Sequence, residues 1–183
     1  VKAEGKEVMA RTTLKLDKEK TAAVVQNLLV SHPKLWDLDS PYRYTVETII
    51  KKGGKTIDKY LTPFGIRSVK FDKDKGFFLN NKHLKLKGMC LHQDAGCLGV
   101  AVPDRAYERR LLILKEFGTN AIRCSHNPPS PEFLNYCDSI GFLVIDEAFD
   151  KWKSGYYEEF FDSSWQQDIS DMVIRDRNHP SVI

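Results

Sequence analysis

The sequence predicts a chain of two unlike parts: part of an antiparallel β-sandwich, then a parallel α/β sheet or barrel. Three observations predict this. Apolar and polar residues alternate with period two along several short segments of the first third. A Gly-Gly turn signal joins the clearest pair of these segments. Further on, strand-like and helix-like segments take turns, the sequence form of a parallel sheet covered by helices. The change of character falls between Phe64 and Phe77.

In chain order, Val8, Ala10, Thr12, Leu14 and Leu16 alternate with mostly polar residues and predict a half-buried strand. Val24-Val25 and Leu28-Leu29-Val30 predict another strand or strand pair. Tyr42, Tyr44, Val46, Thr48 and Ile50 predict a strand that turns at Gly53-Gly54 and returns over Ile57 to Leu61. Phe77-Phe78-Leu79, a turn at Asn80-Asn81, and Leu84 to Met89 predict one more hairpin-like element. Asp104 is placed to cap a helix over Arg105 to Phe117, stopped by Gly118. Asn120 to Arg123 is a short strand. Ser130-Pro131 reads as an N-cap followed by proline at the first helical position, and that helix stops at Gly141. Phe142 to Ile145 is a continuous apolar strand of the kind buried on both faces. A last helix is expected from Asp162 or Ser163, with Trp165, Ile169, Met172 and Val173 on one face and Arg175 and Arg177 at its negative end. Ser181-Val182-Ile183 begins the next strand.

Composition narrows the function classes. With 42% hydrophobic and 29% charged residues in 183, the chain can bury a sizeable core. The net charge of +3 is small, and the nearest thing to a basic cluster, Lys82, Lys85 and Lys87, alternates with Leu84 and Leu86 as a solvated strand face would. No nucleic-acid partner is expected. No apolar run approaches the ~20 residues of a membrane span, so no membrane partner is expected either. The four cysteines, Cys90, Cys97, Cys124 and Cys137, lack both metal-type spacing and a disulfide-dense pattern and read as structural thiols. No signal peptide opens the chain, and the compartment stays open among cytoplasmic, periplasmic and secreted.

The unusual polar residues fall at one kind of place. His92 and Asp94 follow the first strand of the α/β part; Arg123, Ser125 and His126 end the second; Asp146 and Glu147 end the third, with Asp150 and Trp152 in the loop after it. In a parallel sheet or barrel those strand ends open on one face, where active sites are built. Each residue taken alone also has a plain structural reading. His92 can be a loop histidine, Arg123 can pair with Asp146 or Glu147 across neighbouring strands, and Trp152 can be packing. The joint pattern predicts a barrel-type enzyme site.

The stretch from Asn120 through Arg123-Cys124-Ser125-His126-Asn127-Pro128, continuing by Phe133-Leu134 and Cys137-Asp138 to Gly141-Phe142-Leu143-Val144-Ile145, resembles the signature of glycoside hydrolase family 2, the β-galactosidase and β-glucuronidase family. Four more stretches agree. Pro33 to Trp36 with Ser40 to Tyr44 looks like the end of that family's immunoglobulin-like domain. Phe64-Gly65-Ile66-Arg67 looks like its linker into the barrel. Phe78 to Met89 with His92 looks like the first barrel strand, and Arg175 to Ile183 like the approach to the fourth. The resemblance implies a partial immunoglobulin-like β-sandwich over residues 1–67 and the N-terminal half of a (β/α)8 TIM barrel over residues 68–183.

The resemblance further implies a retaining glycosidase in which two glutamates ~5 Å apart serve as acid/base and nucleophile. Both are expected beyond Ile183, the first within a Trp-Ser-x-Gly-Asn-Glu stretch, so residues 1–183 alone are expected to be inactive. Within them the resemblance assigns sugar binding to His92, Asp94, His126, Asp150 and Trp152, with Trp152 as a stacking platform. It assigns an orienting network to Arg123, Asp146 and Glu147. A carbohydrate substrate follows, with a β-galactoside first and glucuronide and mannoside as the other choices. Two departures stand out. Asn127 replaces the usual tyrosine. Ala148-Phe149-Asp150-Lys151-Trp152 replaces the Asn-x-Glu-x-His stretch that supplies magnesium ligands in the best-known bacterial β-galactosidases, with Lys153 near the histidine's place. No cofactor is therefore expected.

Two other classes compete. One is a metal-dependent barrel hydrolase using His92, His126 and Asp146 as ligands. The other is a carbohydrate-binding module without catalysis. Either way, open sheet edges are expected to make the chain self-associate.

Overall fold

The computed structural model describes residues 2–3, 6–17 and 20–183. Its first sheet is antiparallel, in the order β2 (Lys6–Glu7), β1 (Lys2–Ala3), β3 (Tyr44–Lys52), β4 (Lys55–Phe64). The β3–β4 hairpin follows the sequence closely. Gly53 and Gly54 have φ of +57° and +83°, the two left-handed residues that a tight hairpin matching the strand twist requires. At its other end Tyr44 is buried, stacked on Phe64 with ring centroids 5.5 Å apart, and its hydroxyl accepts from the Lys34 amide at 2.7 Å.

Residues 8–16 and 24–30, expected as strands, form none. Period-two alternation describes an extended chain, but a ladder also needs a partner and a face to bury. Here Leu14, Leu16, Val25 and Leu29 are all exposed, and a side-chain bond from Gln26 Nε2 to Thr12 Oγ1 at 2.9 Å links the two segments.

A second antiparallel sheet, unforeseen in part, contains β5 (Val69–Asp72), β6 (Gly76–Leu79) and β7 (Lys82–His83). The expected hairpin of Phe77–Leu79 with Leu84–Met89 is therefore split. Its first arm pairs with β5 and β7, and Gly88–Leu91 becomes β8, the first parallel strand. Asn80 and Asn81 make the turn at φ of +51° and +64°. This sheet and Trp36 close one end of the α/β part. Trp36, Leu38, Phe77, Leu79, Ala121 and Leu143 form one buried cluster.

The α/β part runs β8, α1 (Asp104–Glu116), β9 (Ala121–Cys124), α2 (Pro131–Ile140), β10 (Leu143–Ile145) and α3 (Glu158–Asp176). Its strands are parallel in the order β8-β9-β10, and Val144 bridges in parallel to Val182, so the next strand begins beside β10 where expected. Asp104 opens the first turn of α1, with Pro103 rather than Asp104 at the cap position. Ser130 caps α2, its hydroxyl accepting from the Phe133 amide at 3.2 Å. α3 starts four residues before Asp162, after a short 3-10 turn at Gly155–Tyr157. A second core of Leu111, Ile122, Cys124, Phe133, Leu134, Cys137, Phe142 and Val144 lies between the sheet and the helices α1 and α2. Each leucine, isoleucine, valine and phenylalanine among them contributes about 1.5–3 kcal/mol on burial.

One polar knot joins the parts. Asp138, almost wholly buried on α2, accepts from His179 Nδ1 at 2.7 Å when that nitrogen carries the proton, and from the Ser181 amide and hydroxyl at 3.1 and 2.6 Å. Its backbone carbonyl accepts from Trp36 Nε1 at 2.8 Å, and the Arg67 guanidinium donates to the carbonyls of Pro180 and Val182. Among the described residues no helix is long and apolar enough to cross a membrane.

Candidate active site

Strand alternation sorts the polar residues onto two faces. On β9, Ile122 and Cys124 belong to the core under the helices, while Ala121 belongs to the cluster around Trp36. Arg123 therefore shares the face of Ala121, away from the helices. In register with it are Cys90 on β8 and Ile145 on β10. The Arg123 guanidinium donates through NH1 to Cys90 Sγ at 3.7 Å, and it takes Glu147 in a two-pronged grip, through Nε to Oε1 and through NH2 to Oε2 at 3.3 Å. Glu147 first and Cys90 second hold this guanidinium above its ordinary range.

Glu147 in turn faces His126. His126 Nδ1 lies 3.2 Å from Glu147 Oε2 and 3.2 Å from Arg123 NH2. Two tautomers satisfy this. Either Nδ1 donates to Glu147, or it accepts from Arg123 and Nε2 carries the proton. In both, Nε2 is the nitrogen left for a ligand, as acceptor in the first and donor in the second. The His92 ring meets the His126 ring edge to face, centroids 5.4 Å apart. The peptide bond between Ser125 and His126 is cis. Asn127 Nδ2 donates to Gln93 Oε1 at 3.2 Å, joining the loops that carry the two histidines.

Four of the expected residues thus form one contiguous group: His92, His126, Glu147 and Arg123. The others stand apart from it. Asp94 is exposed and meets Arg110 through its backbone carbonyl, at 2.9 Å. Asp150 pairs with its neighbour Lys151 at 3.2 Å. Trp152 is stacked on Phe161 of α3, 5.9 Å between centroids, and two-thirds of it is exposed. Asp146 turns to the helix side. Both its oxygens are buried and make no hydrogen bond of ordinary geometry, although the Asp176 carboxyl lies close enough to interact. Burial above all, then Asp176, pushes the Asp146 carboxyl up to about 7.

Sequence reasoning missed Cys90 and the pair Arg175–Asp176. Cys90 was legible from alternation once Arg123 is placed in register with it. Arg175 reads from sequence as a helix-end charge, and nothing local marks its bonds to Asp176 and to the Pro129 carbonyl.

The donor sets do not fit a metal. Among the described residues no three His, Cys, Asp or Glu side chains converge so as to hold an ion. Asp146 faces away from His126, and in the 148–153 stretch Asp150 is paired with Lys151 while Lys153 is paired with Asp162.

The family profile described as "Glycosyl hydrolases family 2, TIM barrel domain" matches residues 69–183, and that described as "Glycosyl hydrolases family 2" matches residues 1–67. The chain is 48% identical over 185 residues to beta-galactosidase BoGH2A of Bacteroides ovatus, covering 98% of this chain and 22% of that protein. It is 31% identical over 188 residues to a beta-glucuronidase of Bacteroides fragilis, covering 98% of this chain and 27% of that one. The crystal structure of a glycosyl hydrolase family 2 member from Bacteroides cellulosilyticus superposes with a TM-score of 0.78 at 50% identity, over 82% of this chain and 20% of that one. The chain therefore spans about a fifth to a quarter of the length of these relatives.

Proposed function

The chain belongs to glycoside hydrolase family 2, and from that premise we propose that the protein carrying it is a retaining β-glycosidase whose first choice of substrate is a β-galactoside. The observation that carries this reading is the continuous group Arg123–Glu147–His126–His92 at the C-terminal ends of three parallel strands.

In this reading Arg123 and Glu147 are the orienting pair. A guanidinium fork fixes a carboxylate in direction as well as distance. Glu147 fixes the His126 ring, which leaves Nε2 to hydrogen-bond a sugar hydroxyl. Such a bond lowers the barrier to the extent that it tightens as the ring flattens toward the oxocarbenium ion. His92 forms the adjoining wall. Asp94, Asp150 and the exposed face of Trp152 reach a bound sugar from the surrounding loops, with Trp152 stacking on a pyranose face. Asp146 belongs to the support behind the sheet. The acid/base and nucleophile glutamates lie outside residues 1–183, which by themselves do not hydrolyse glycosides.

What favours a galactoside is the 48% identity to a protein named beta-galactosidase, against 44% to one named "Putative beta-glucuronidase" and 31% to one named beta-glucuronidase. A glucuronide is the second reading. The test is kcat/KM of the natural protein on aryl β-galactoside, β-glucuronide and β-mannoside. Turnover of the galactoside at least tenfold above the others supports the first reading, preference for the glucuronide replaces it with the second, and hydrolysis of none overturns both.

A further inference from the structure

Arg175 lies on α3, on the helix side of the sheet and outside the group just described. Its position is unusual for a helix-end arginine. Neighbours i and i+1 on a helix do not normally face each other, yet Arg175 Nε and NH2 each donate to one oxygen of Asp176, both at 2.7 Å. Its NH2 also donates to the backbone carbonyl of Pro129 at 2.8 Å. The side chain stays 40% exposed, but its donors are spent on Asp176 and Pro129.

What it reaches explains why. Asp176 is 2% exposed, and a buried carboxylate needs a counter-charge. Beside Asp176 lie the buried oxygens of Asp146, which make no ordinary hydrogen bond. Asp146 directly precedes Glu147, and Pro129 follows His126 by three residues. One guanidinium therefore binds the segment that carries His126 and also holds Asp176, whose carboxyl lies beside Asp146, the residue that precedes Glu147. Glu132 of α2 and the Cys124 thiol of β9 complete the ionisable surroundings of this knot.

We propose that Arg175 is a positioning residue of the candidate site, holding the His126 and Glu147 segments at their mutual spacing from behind the sheet without touching bound sugar. This rests on the glycosidase reading above. The Nδ1–Oε2 spacing of 3.2 Å is what it sets, and misplacing reacting or binding groups by an ångström costs about 10²-fold in rate.

The experiment is a double-mutant cycle in the natural protein, measuring kcat/KM on an aryl β-galactoside for wild type, Arg175→Met, His126→Ala and the double variant. Arg175→Met is expected to lose about 10- to 100-fold. In the His126→Ala background the same change is expected to cost less than about threefold, because the group it positions has gone. Equal losses in both backgrounds, or no loss in either, overturn the proposal. If Arg175→Met shows no cooperative thermal transition, the cycle is run with Arg175→Lys, which keeps the charge and loses the fork. A loss from Arg175→Lys that vanishes without His126 then supports the proposal, and one that persists overturns it. Should His126→Ala itself leave kcat/KM unchanged, the site reading fails first and the positioning role with it.

Discussion

Arg123 holds both oxygens of Glu147 from the next strand, and this pair orients His126 as well, since one Glu147 oxygen and one Arg123 nitrogen each lie 3.2 Å from the same imidazole nitrogen. A lysine in place of Arg123 would keep the charge but could not keep the fork. Arg123→Lys in the natural protein is expected to lower kcat/KM by about 10²-fold, with little change in unfolding temperature because the pair is partly exposed. Steady-state kinetics beside a thermal melt checks this. A large fall in melting temperature with unaltered kcat/KM would make the pair structural.

Asp146 predicts a pH dependence of stability. An unfolded aspartate titrates near 3.9, whereas burial and Asp176 push this one up to about 7. Below about pH 4 both states hold the proton. Between about 4 and 7 the folded state holds a proton that the unfolded state has lost, so the contribution of this group to stability falls as pH rises. Asp146→Asn resembles the protonated form. It is expected to raise stability by about 2–4 kcal/mol at pH 8 and by little at pH 4. Denaturant titrations of wild type and variant at the two pH values test it, and an equal effect at both would contradict it.

Asp138→Ala removes one carboxylate from the Ser181 amide, the Ser181 hydroxyl and His179, two of these groups belonging to a residue with no exposure. Leaving buried donors unpaired is expected to cost roughly 2–4 kcal/mol. Ser181→Ala, which deletes one donor and leaves the carboxylate its other partners, is expected to cost about 1 kcal/mol. Reversal of that order in equilibrium unfolding would refute the network.

Gly141 is required twice. Its φ is +85°, and a Cβ there would run into the Leu38 backbone carbonyl. Gly141→Ala is expected to cost more than the roughly 1–2 kcal/mol of a left-handed alanine alone. Gly118, at φ +77° with open space around a Cβ, is the control, and Gly118→Ala should show the conformational cost only. Similar melting temperatures for the two would argue against the Leu38 contact.

Residues 1–183 expressed alone are expected to self-associate. Ile145 on the face opposite the helices and Ile57, Tyr60 and Leu61 on the hairpin are all exposed apolar groups on sheet edges or faces. Analytical ultracentrifugation decides, and a monomer at high concentration would count against it.

Legibility tracked the range of the interactions. Gly53-Gly54, Ser130-Pro131, Gly118 and Gly141 act within a turn or a cap, and each bounds an element as read. Val8 to Leu16 carried the same period-two signal as Tyr44 to Lys52 but formed no strand, because pairing and a buried face are not local properties. β5 was missed for the opposite reason. Its four residues make a weak pattern that acquires meaning beside β6.

Local residue patterns fix the kind of each principal α/β element and the delivery of His92, Arg123, His126, Asp146 and Glu147 to one end of a parallel sheet. Which partner each charge takes depends on the packed fold. Asp146 and Glu147 are adjacent in sequence, yet one meets Asp176 behind the sheet and the other meets Arg123 in front of it. Alternation puts neighbours on opposite faces, but which face is buried depends on where α1 and α2 pack. Trp36 reaches Asp138 across 102 residues for the same reason. Strand order and register bring such groups together, and both are set by the burial of the whole core rather than by any local run of residues.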